Sequence, residues 1–198
     1  MNALKISIIV GSVRPNRMGL RVGKYLAAQL AQQGVKQVHL IDPAPLNIPL
    51  LVNRYDSLTD AEKTPELQEL HAKIAESDAY IVVSPEYNHS YSPIITNVMD
   101  YFYHNEYYFK SAGIVTYSMG AFGGVRAAGP IRPFLGQMGL TSIPQTLAVP
   151  VVQSLLGEDG ELLDSATSAT LASNTSKFLS ELTWFADALK TAREKSRP

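Results

Sequence analysis

The stretch IIVGSVRPNRMG, residues 8–19, passes from apolar, mostly β-branched residues straight into glycine, serine and two arginines. Its apolar part belongs to LKISIIV (4–10), a short run ending at Gly11, the pattern of a strand buried in a parallel sheet. From about Arg17 to Gln33 the period turns helical. Leu20, Tyr25, Ala27, Ala28, Leu30 and Ala31 supply one apolar face, and Gly34 closes it. The start of a helix offers unpaired N–H groups and the positive end of its dipole, and both suit an anion. Ser12 adds a hydroxyl. Arg14 and Arg17 add planar forks that grip phosphate oxygens in pairs. Gly11 and Gly19 let the backbone come close. We read this junction as a phosphate cradle. It is neither G-x-G-x-x-G nor G-x-x-x-x-G-K-[ST], so the dinucleotide and P-loop fingerprints do not apply.

Outward from the cradle the same alternation continues. KQVHLID (36–42), DAYIVVS (78–84) and stretches within 110–117 and 140–149 read as further strands. Thr59 to Glu76, Ser92 to His104, Ala121 to Gly139 and Leu163 to about Glu194 read as helices. Thr59 and Glu62 form a capping box, Pro93 opens the second of these helices, and Pro130 and Pro133 predict a kink in the third. DPAPLNIPLL (42–51) reads as an ordered connector, and SLLGEDGEL (154–162) as an exposed turn. Strands that are apolar throughout imply a parallel sheet covered on both faces. Right-handed crossovers then give a three-layer α/β sandwich, and no linker divides residues 1–198 into two domains. In such a sheet ligands bind beyond the carboxyl ends of the strands. The loops after strands one, three and four therefore carry function.

Composition bounds the chemistry. The 198 residues are 45% hydrophobic, with a formal net charge of −1 and a pI of about 6.4. That balance does not suit a nucleic-acid surface. There is no cysteine, which excludes disulfides, thiolate metal sites and cysteine nucleophiles. Neither a signal peptide nor a membrane-spanning run is evident, so the expectation is a cytoplasmic chain. The four histidines, His39, His71, His89 and His104, show no metal-ligand spacing.

The loop SPEYNHSYSP packs Glu86, Tyr87, Asn88, His89, Ser90 and Tyr91 into one turn, a mix that suits a flat heterocycle with a polar rim. The loop YSMGAFGG offers Ser118 and Met119, then Gly120, Gly123 and Gly124, where a backbone can approach a planar ligand. Each loop alone is explained as well by ordinary turn chemistry. Their meeting on one sheet edge favours a ligand. The run DYFYHNEYYF (100–109) holds six aromatics and reads as core or as an exposed patch at a subunit interface, the second favoured because they occupy more faces than one helix stripe buries.

These stretches, GSVRPNRMG, SPEYNHSYSPIITNVMDYF and YSMGAFGGVRAAGPIRPFLGQMGL, resemble the NADPH-dependent FMN reductases of the flavodoxin-like superfamily, a group of quinone, azo-dye and chromate reductases. The resemblance runs from residue 4 to about 150 and is most specific at Pro85, Glu86, Tyr87, Asn88, Asn97 and Asp100, and at Gly123, Gly124 and Arg126. It implies a flavodoxin-like sheet of order 2-1-3-4-5, bound FMN, and NADPH or NADH as hydride donor. It also implies a small-molecule acceptor served by ping-pong transfer, and a homodimer or homotetramer. By the same resemblance Ser12, Arg14, Arg17 and Gly19 hold the FMN phosphate. Pro85, Glu86, Tyr87, Asn88 and Ser90 line the ring, and Ser118, Met119, Gly120, Ala121, Gly123 and Gly124 close its other edge. Arg126 attracts a nicotinamide phosphate or sits at a subunit contact. Many relatives have serine at the place of Arg17 and lysine at the place of Thr96. No catalytic side chain is implied, because the flavin does the chemistry. A flavodoxin-type electron carrier is the rival reading. Such carriers are strongly acidic with a hydroxyl-rich phosphate loop, unlike this near-neutral chain. A third is a flavin-free member that uses the fold as an interaction scaffold.

Overall fold

Alternate residues of the same strands face opposite layers, and this is what the unbroken apolar runs encode. The computed structural model describes residues 4–196. Strands β1 (Lys5–Val10), β2 (Gln37–Ile41), β3 (Ala79–Pro85), β4 (Lys110–Tyr117) and β5 (Leu140–Val149) pair in parallel in the order 2-1-3-4-5. Ile6 lies opposite Val38 of β2 on one side and Ala79 of β3 on the other, and Val82 lies opposite Ile114 of β4. Ile6, Ile8, Ile81 and Val83 pack into one core; Ile9, Tyr80 and Val82 pack into the other. Each large apolar side chain fully buried this way contributes on the order of 2 kcal/mol. The flavodoxin-like order expected of the chain is the order observed.

The first core is roofed by α1 (Met18–Gln32) and α8 (Ser168–Lys195), through Val22, Leu26, Leu30, Phe178, Leu179 and Leu182. Gly113 of β4 makes room for Phe178: a Cβ there would sit 2.4 Å from the ring. The second core is roofed by α3 (Pro65–Glu76), α4 (Pro93–Met99) and α6 (Ala128–Gln137). Short helices α2 (Pro43–Leu46), α5 (His104–Tyr107) and α7 (Val152–Leu155) fill the connections. The register of β4 and β5 shifts between Ala112 and Ile114, next to Pro144 on the edge strand β5. Proline lacks the ladder N–H, so an edge or a bulge is where a strand tolerates it.

Several elements differ from the expected ones, and proline sets one of the boundaries. The Thr59–Glu62 contact forms, with the Glu62 carboxylate accepting from the Thr59 N–H at 2.7 Å, but it closes an isolated turn. The helix starts at Pro65, where Thr64 supplies the cap. The expected helix 92–104 stops at Met99 and resumes as α5. The expected helix 121–139 becomes a 3₁₀ turn (Val125–Ala127) followed by α6, with Pro133 inside it. The 42–51 connector contains α2, and the long C-terminal helix begins at Ser168. The 154–162 segment is not an exposed turn throughout: Leu155 and Leu156 are buried, and Leu156 bridges Leu162. Of the six aromatics in 100–109, Tyr101, Phe102 and Tyr107 are core, while Tyr103, Tyr108 and Phe109 are exposed. The break after Met99 turns Tyr101 and Phe102 inward.

Candidate functional site

The junction of β1 and α1 is fixed by its neighbours. The Gly11 N–H donates to the Val83 carbonyl at 2.7 Å, and the Ser92 hydroxyl donates to the Gly11 carbonyl at 2.5 Å. A side chain at position 11 would meet the Val83 oxygen at 2.6 Å, so glycine is required there. Ser12 is buried, and its oxygen accepts the Arg14 N–H at 3.4 Å. Asn16 takes a left-handed φ of 56° to turn the chain into α1. Arg17 stands at the N-cap and makes no capping bond. The N-terminal N–H groups of α1 thus meet an exposed loop that carries Arg14.

Arg17 behaves differently from expectation. Its guanidinium forms a forked pair with Asp42 at the end of β2, with Nε donating to one carboxylate oxygen at 3.1 Å and a terminal nitrogen to the other. Both side chains are mostly buried. The same carboxylate accepts the Ala44 N–H at 3.2 Å and so caps α2. Arg17 therefore ties the first loop to β2, with its charge already answered. Arg14 makes no ion pair among the described residues. Its guanidinium carbon lies 5.8 Å from the centre of the Tyr87 ring.

The second loop is a tight hairpin turn. Tyr87 and Ser90 exchange backbone bonds of 2.9 and 3.0 Å across Asn88 (φ 51°) and His89 (φ 63°). Two positive φ values in the centre define a type I′ turn. Glu86 is held by Arg126, whose guanidinium and backbone N–H each reach the carboxylate at 3.3 Å. The third loop is pinned from β5 and α7. The Val152 N–H donates to the Ser118 carbonyl, the Val151 N–H to the Gly120 carbonyl, and the Gln153 amide to the Met119 carbonyl. Val151 sits at φ 43°, a strained conformation for a β-branched residue. Gly123 and Gly124, at φ 60° and 71°, reverse the chain; a side chain on Gly124 would meet the Tyr117 carbonyl at 2.7 Å.

A cavity of about 320 Å³ opens between the loops. Ser12, Arg14, Arg17, Pro85, Glu86, Tyr87, Ser118 and Met119 line it, with Pro15, Asn16, Met18 and Tyr117. Gly19, Asn88, Ser90, Gly120, Ala121, Gly123 and Gly124 lie on the same edge but do not line it. Gly19 packs beneath, against Tyr117, and the glycine pair shapes the turn. Asn97, by contrast, clamps the 47–53 loop. Its amide accepts the Leu51 N–H at 2.8 Å and donates to the Pro49 carbonyl at 2.9 Å. Tyr117 and Asp42 were invisible as site residues in the sequence; the last residue of β4 was the available signal for the first. A larger cavity, about 770 Å³, is lined by the 45–67 connector and Tyr101 and carries Glu62 and Glu66 but no cation. It repels a phosphate, whereas the smaller one offers a hydroxyl, a guanidinium and a helix start. That donor set suits the phosphate of a flavin nucleotide. Among the described residues there is no cluster that could hold a metal and no helix long and apolar enough to cross a membrane.

The sheet order defines a flavodoxin-like fold, with the three loops at the carboxyl edge of the sheet. The sequence profile of the NADPH-dependent FMN reductases matches residues 4–153, and the chain belongs to that family. It is an NAD(P)H-dependent oxidoreductase that uses FMN. An NADPH azoreductase of Bacillus sp. (strain OY1-2) is 27% identical over 163 residues, covering 82% of this chain and 84% of its own. An FMN-dependent NADPH-azoreductase of Staphylococcus saprophyticus is 29% identical over 172 residues, covering 83% of each. Among solved structures, FerB, a flavoenzyme NAD(P)H:(acceptor) oxidoreductase from Paracoccus denitrificans, shares the fold. It superposes with a TM-score of 0.70 at 23% identity, covering 92% of this chain and 98% of its own.

Proposed function

We propose that the cavity over Ser12, Arg14 and Tyr87 takes FMN, and that nicotinamide and acceptor visit the open face of the ring in turn, in a ping-pong cycle. The carrying observation is one cavity in which the start of α1 and Arg14, which makes no ion pair among the described residues, meet the Tyr87 ring. When bound, FMN supplies the redox chemistry, accepting a hydride and releasing electrons to the acceptor. The side chains bind and orient. Ser12 and Arg14 hold the phosphate with the first N–H groups of α1, and Arg17 positions that loop through Asp42. Pro85, Glu86, Tyr87, Asn88 and Ser90 border the ring, and the Ser118–Gly124 loop closes the far edge. Glu86 faces the cavity with its charge answered by Arg126, so it does not oppose an anionic ligand. No side chain is assigned a proton transfer.

The acceptor is a planar apolar aromatic, an azo compound or a quinone, ahead of a metal oxyanion or free flavin. Two relatives are named azoreductases. The loops around the cavity also expose Val13, Met119 and Phe122, side chains that favour an apolar partner over a hydrated oxyanion. The chain works in the cytoplasm as one flavin-binding domain, assembled as a homodimer or homotetramer. Exposed Leu50, Val52, Tyr103 and Tyr108 support that assembly. The test is a visible spectrum of the purified protein before and after anaerobic NADPH. Flavin bands that bleach, and return on adding an azo dye or quinone, support the reading. Bands that NADPH leaves untouched indicate an electron carrier. A protein that shows none after incubation with FMN refutes it.

A further inference from the structure

Tyr117 ends β4 with its side chain 6% exposed, in the lining of the cavity over Ser12 and Arg14. Its phenol lies beneath the first turn of α1. A Cβ on Gly19 would sit 2.6 Å from the phenolic oxygen. Ser12, Gly19 and Arg14 all favour the charged form of that phenol, so they stand around its oxygen. The arrangement answers a local need. The N-cap residue of α1 is Arg17, which has no oxygen to offer and makes no capping bond. A tyrosine from another strand stands under that uncapped turn.

Counting protons gives the consequence. Ser12 and Tyr117 hold one hydroxyl proton each, and both line the cavity. The oxygen of Ser12 also accepts the Arg14 N–H at 3.4 Å. Two hydroxyls thus stand beside Arg14 at the wall of one cavity. The phenol keeps its proton at any ordinary pH. Burial pushes it well above its usual range, with Tyr87 adding to the rise and Ser12, Gly19 and Arg14 opposing it.

We propose that Tyr117 is a phosphate-site residue: with Ser12 it forms a hydroxyl pair that directs one O–H at the phosphate bound over Arg14. The proposal rests on the FMN reading of the cavity. Tyr117 is the fixed member of the pair, because its ring is buried beneath the first turn of α1.

Flavin-free protein, as the whole 198-residue chain, is titrated with FMN and, separately, with riboflavin, which has the same ring and no phosphate. The dissociation constants are compared for wild type and Tyr117→Phe. Loss of a hydrogen bond to a charged oxygen weakens FMN by about tenfold or more and leaves riboflavin unchanged. An unchanged FMN constant, or an equal loss for both flavins, overturns the proposal. Wild type that binds the two flavins equally overturns the phosphate reading as well, so the two failures are distinguishable. A crystal structure of wild type with FMN decides the matter even where the variant does not fold. A Tyr117 or Ser12 hydroxyl oxygen about 2.8 Å from a phosphate oxygen supports the proposal. A phosphate that touches neither refutes it.

Discussion

Arg14 and Arg17 stand three residues apart in the same loop, yet their surroundings give them separate tasks. Arg17 is spent on Asp42, while Arg14 faces the cavity without a carboxylate partner among the described residues. Replacing Arg14 by alanine therefore weakens FMN by about 2 kcal/mol, the worth of a hydrogen bond to a charged group, and leaves riboflavin binding unaltered. Fluorescence titration with the two flavins checks this; equal affinities for FMN in variant and wild type remove Arg14 from the site. At the tip of the second loop, His89 holds φ 63° in a turn that favours glycine. A left-handed conformation costs a non-glycine residue roughly 1 kcal/mol. His89→Gly accordingly raises the thermal midpoint. The gain, measured by calorimetry, comes with unchanged flavin affinity, since the histidine side chain is exposed and outside the cavity lining. Ser12, Arg14 and Tyr87 were legible one by one because each sits in a loop next to a strand end. Tyr117 was not, because its neighbours Ser12 and Gly19 are remote in sequence and only the sheet brings them together.

Among the elements, α4 shows how a short helix is tuned against itself. Asp100 occupies its C-cap, where the helix dipole is negative. Burial raises the carboxyl above its ordinary range, with Arg54 opposing the rise. A raised folded value means that the charged form is disfavoured in the native state. Stability is then lost as pH climbs from the unfolded pKa through the folded one. Asp100→Asn removes that loss, so the variant melts higher than wild type at pH 7 and the difference shrinks toward pH 3. Melting curves across that range check the sign, and a variant that melts lower at neutral pH contradicts it. The helix boundaries themselves were only partly legible. Apolar periodicity located each helix, but Pro65 and the break after Met99 set where it starts or ends. The Thr59–Glu62 contact formed as read, and still made a turn, because Pro65 holds Thr64 in an extended conformation and so interrupts any helix begun before it.

Across the whole molecule, the parallel sheet separates two jobs to opposite edges. Alternating apolar strands and helices made the sheet order readable, since right-handed crossovers leave few alternatives. The carboxyl edge carries the loops that line the cavity. The amino edge carries a clasp that no motif announced. Asp78, just before β3, accepts Lys190 at 2.8 Å and Arg193 at 3.0 Å from the end of α8, and the backbone N–H of Lys5 at 3.1 Å from the start of β1. The Asp78 side chain is 10% exposed, so the contacts are made largely out of water. Removing one partner of a buried pair costs about 3 kcal/mol, because the charges left behind were desolvated for it. Asp78→Ala takes the carboxylate from a small cavity also lined by Lys110, Lys190 and Arg193. We expect denaturant unfolding to show a loss of about that size. The FMN dissociation constant should stay at its wild-type value below the unfolding transition. The Asp78 cluster shares no residue with the flavin cavity, and rigid strands lie between them. A variant that stays folded but binds FMN much more weakly would show that the two edges are coupled through β3. The division of labour between them would then be wrong.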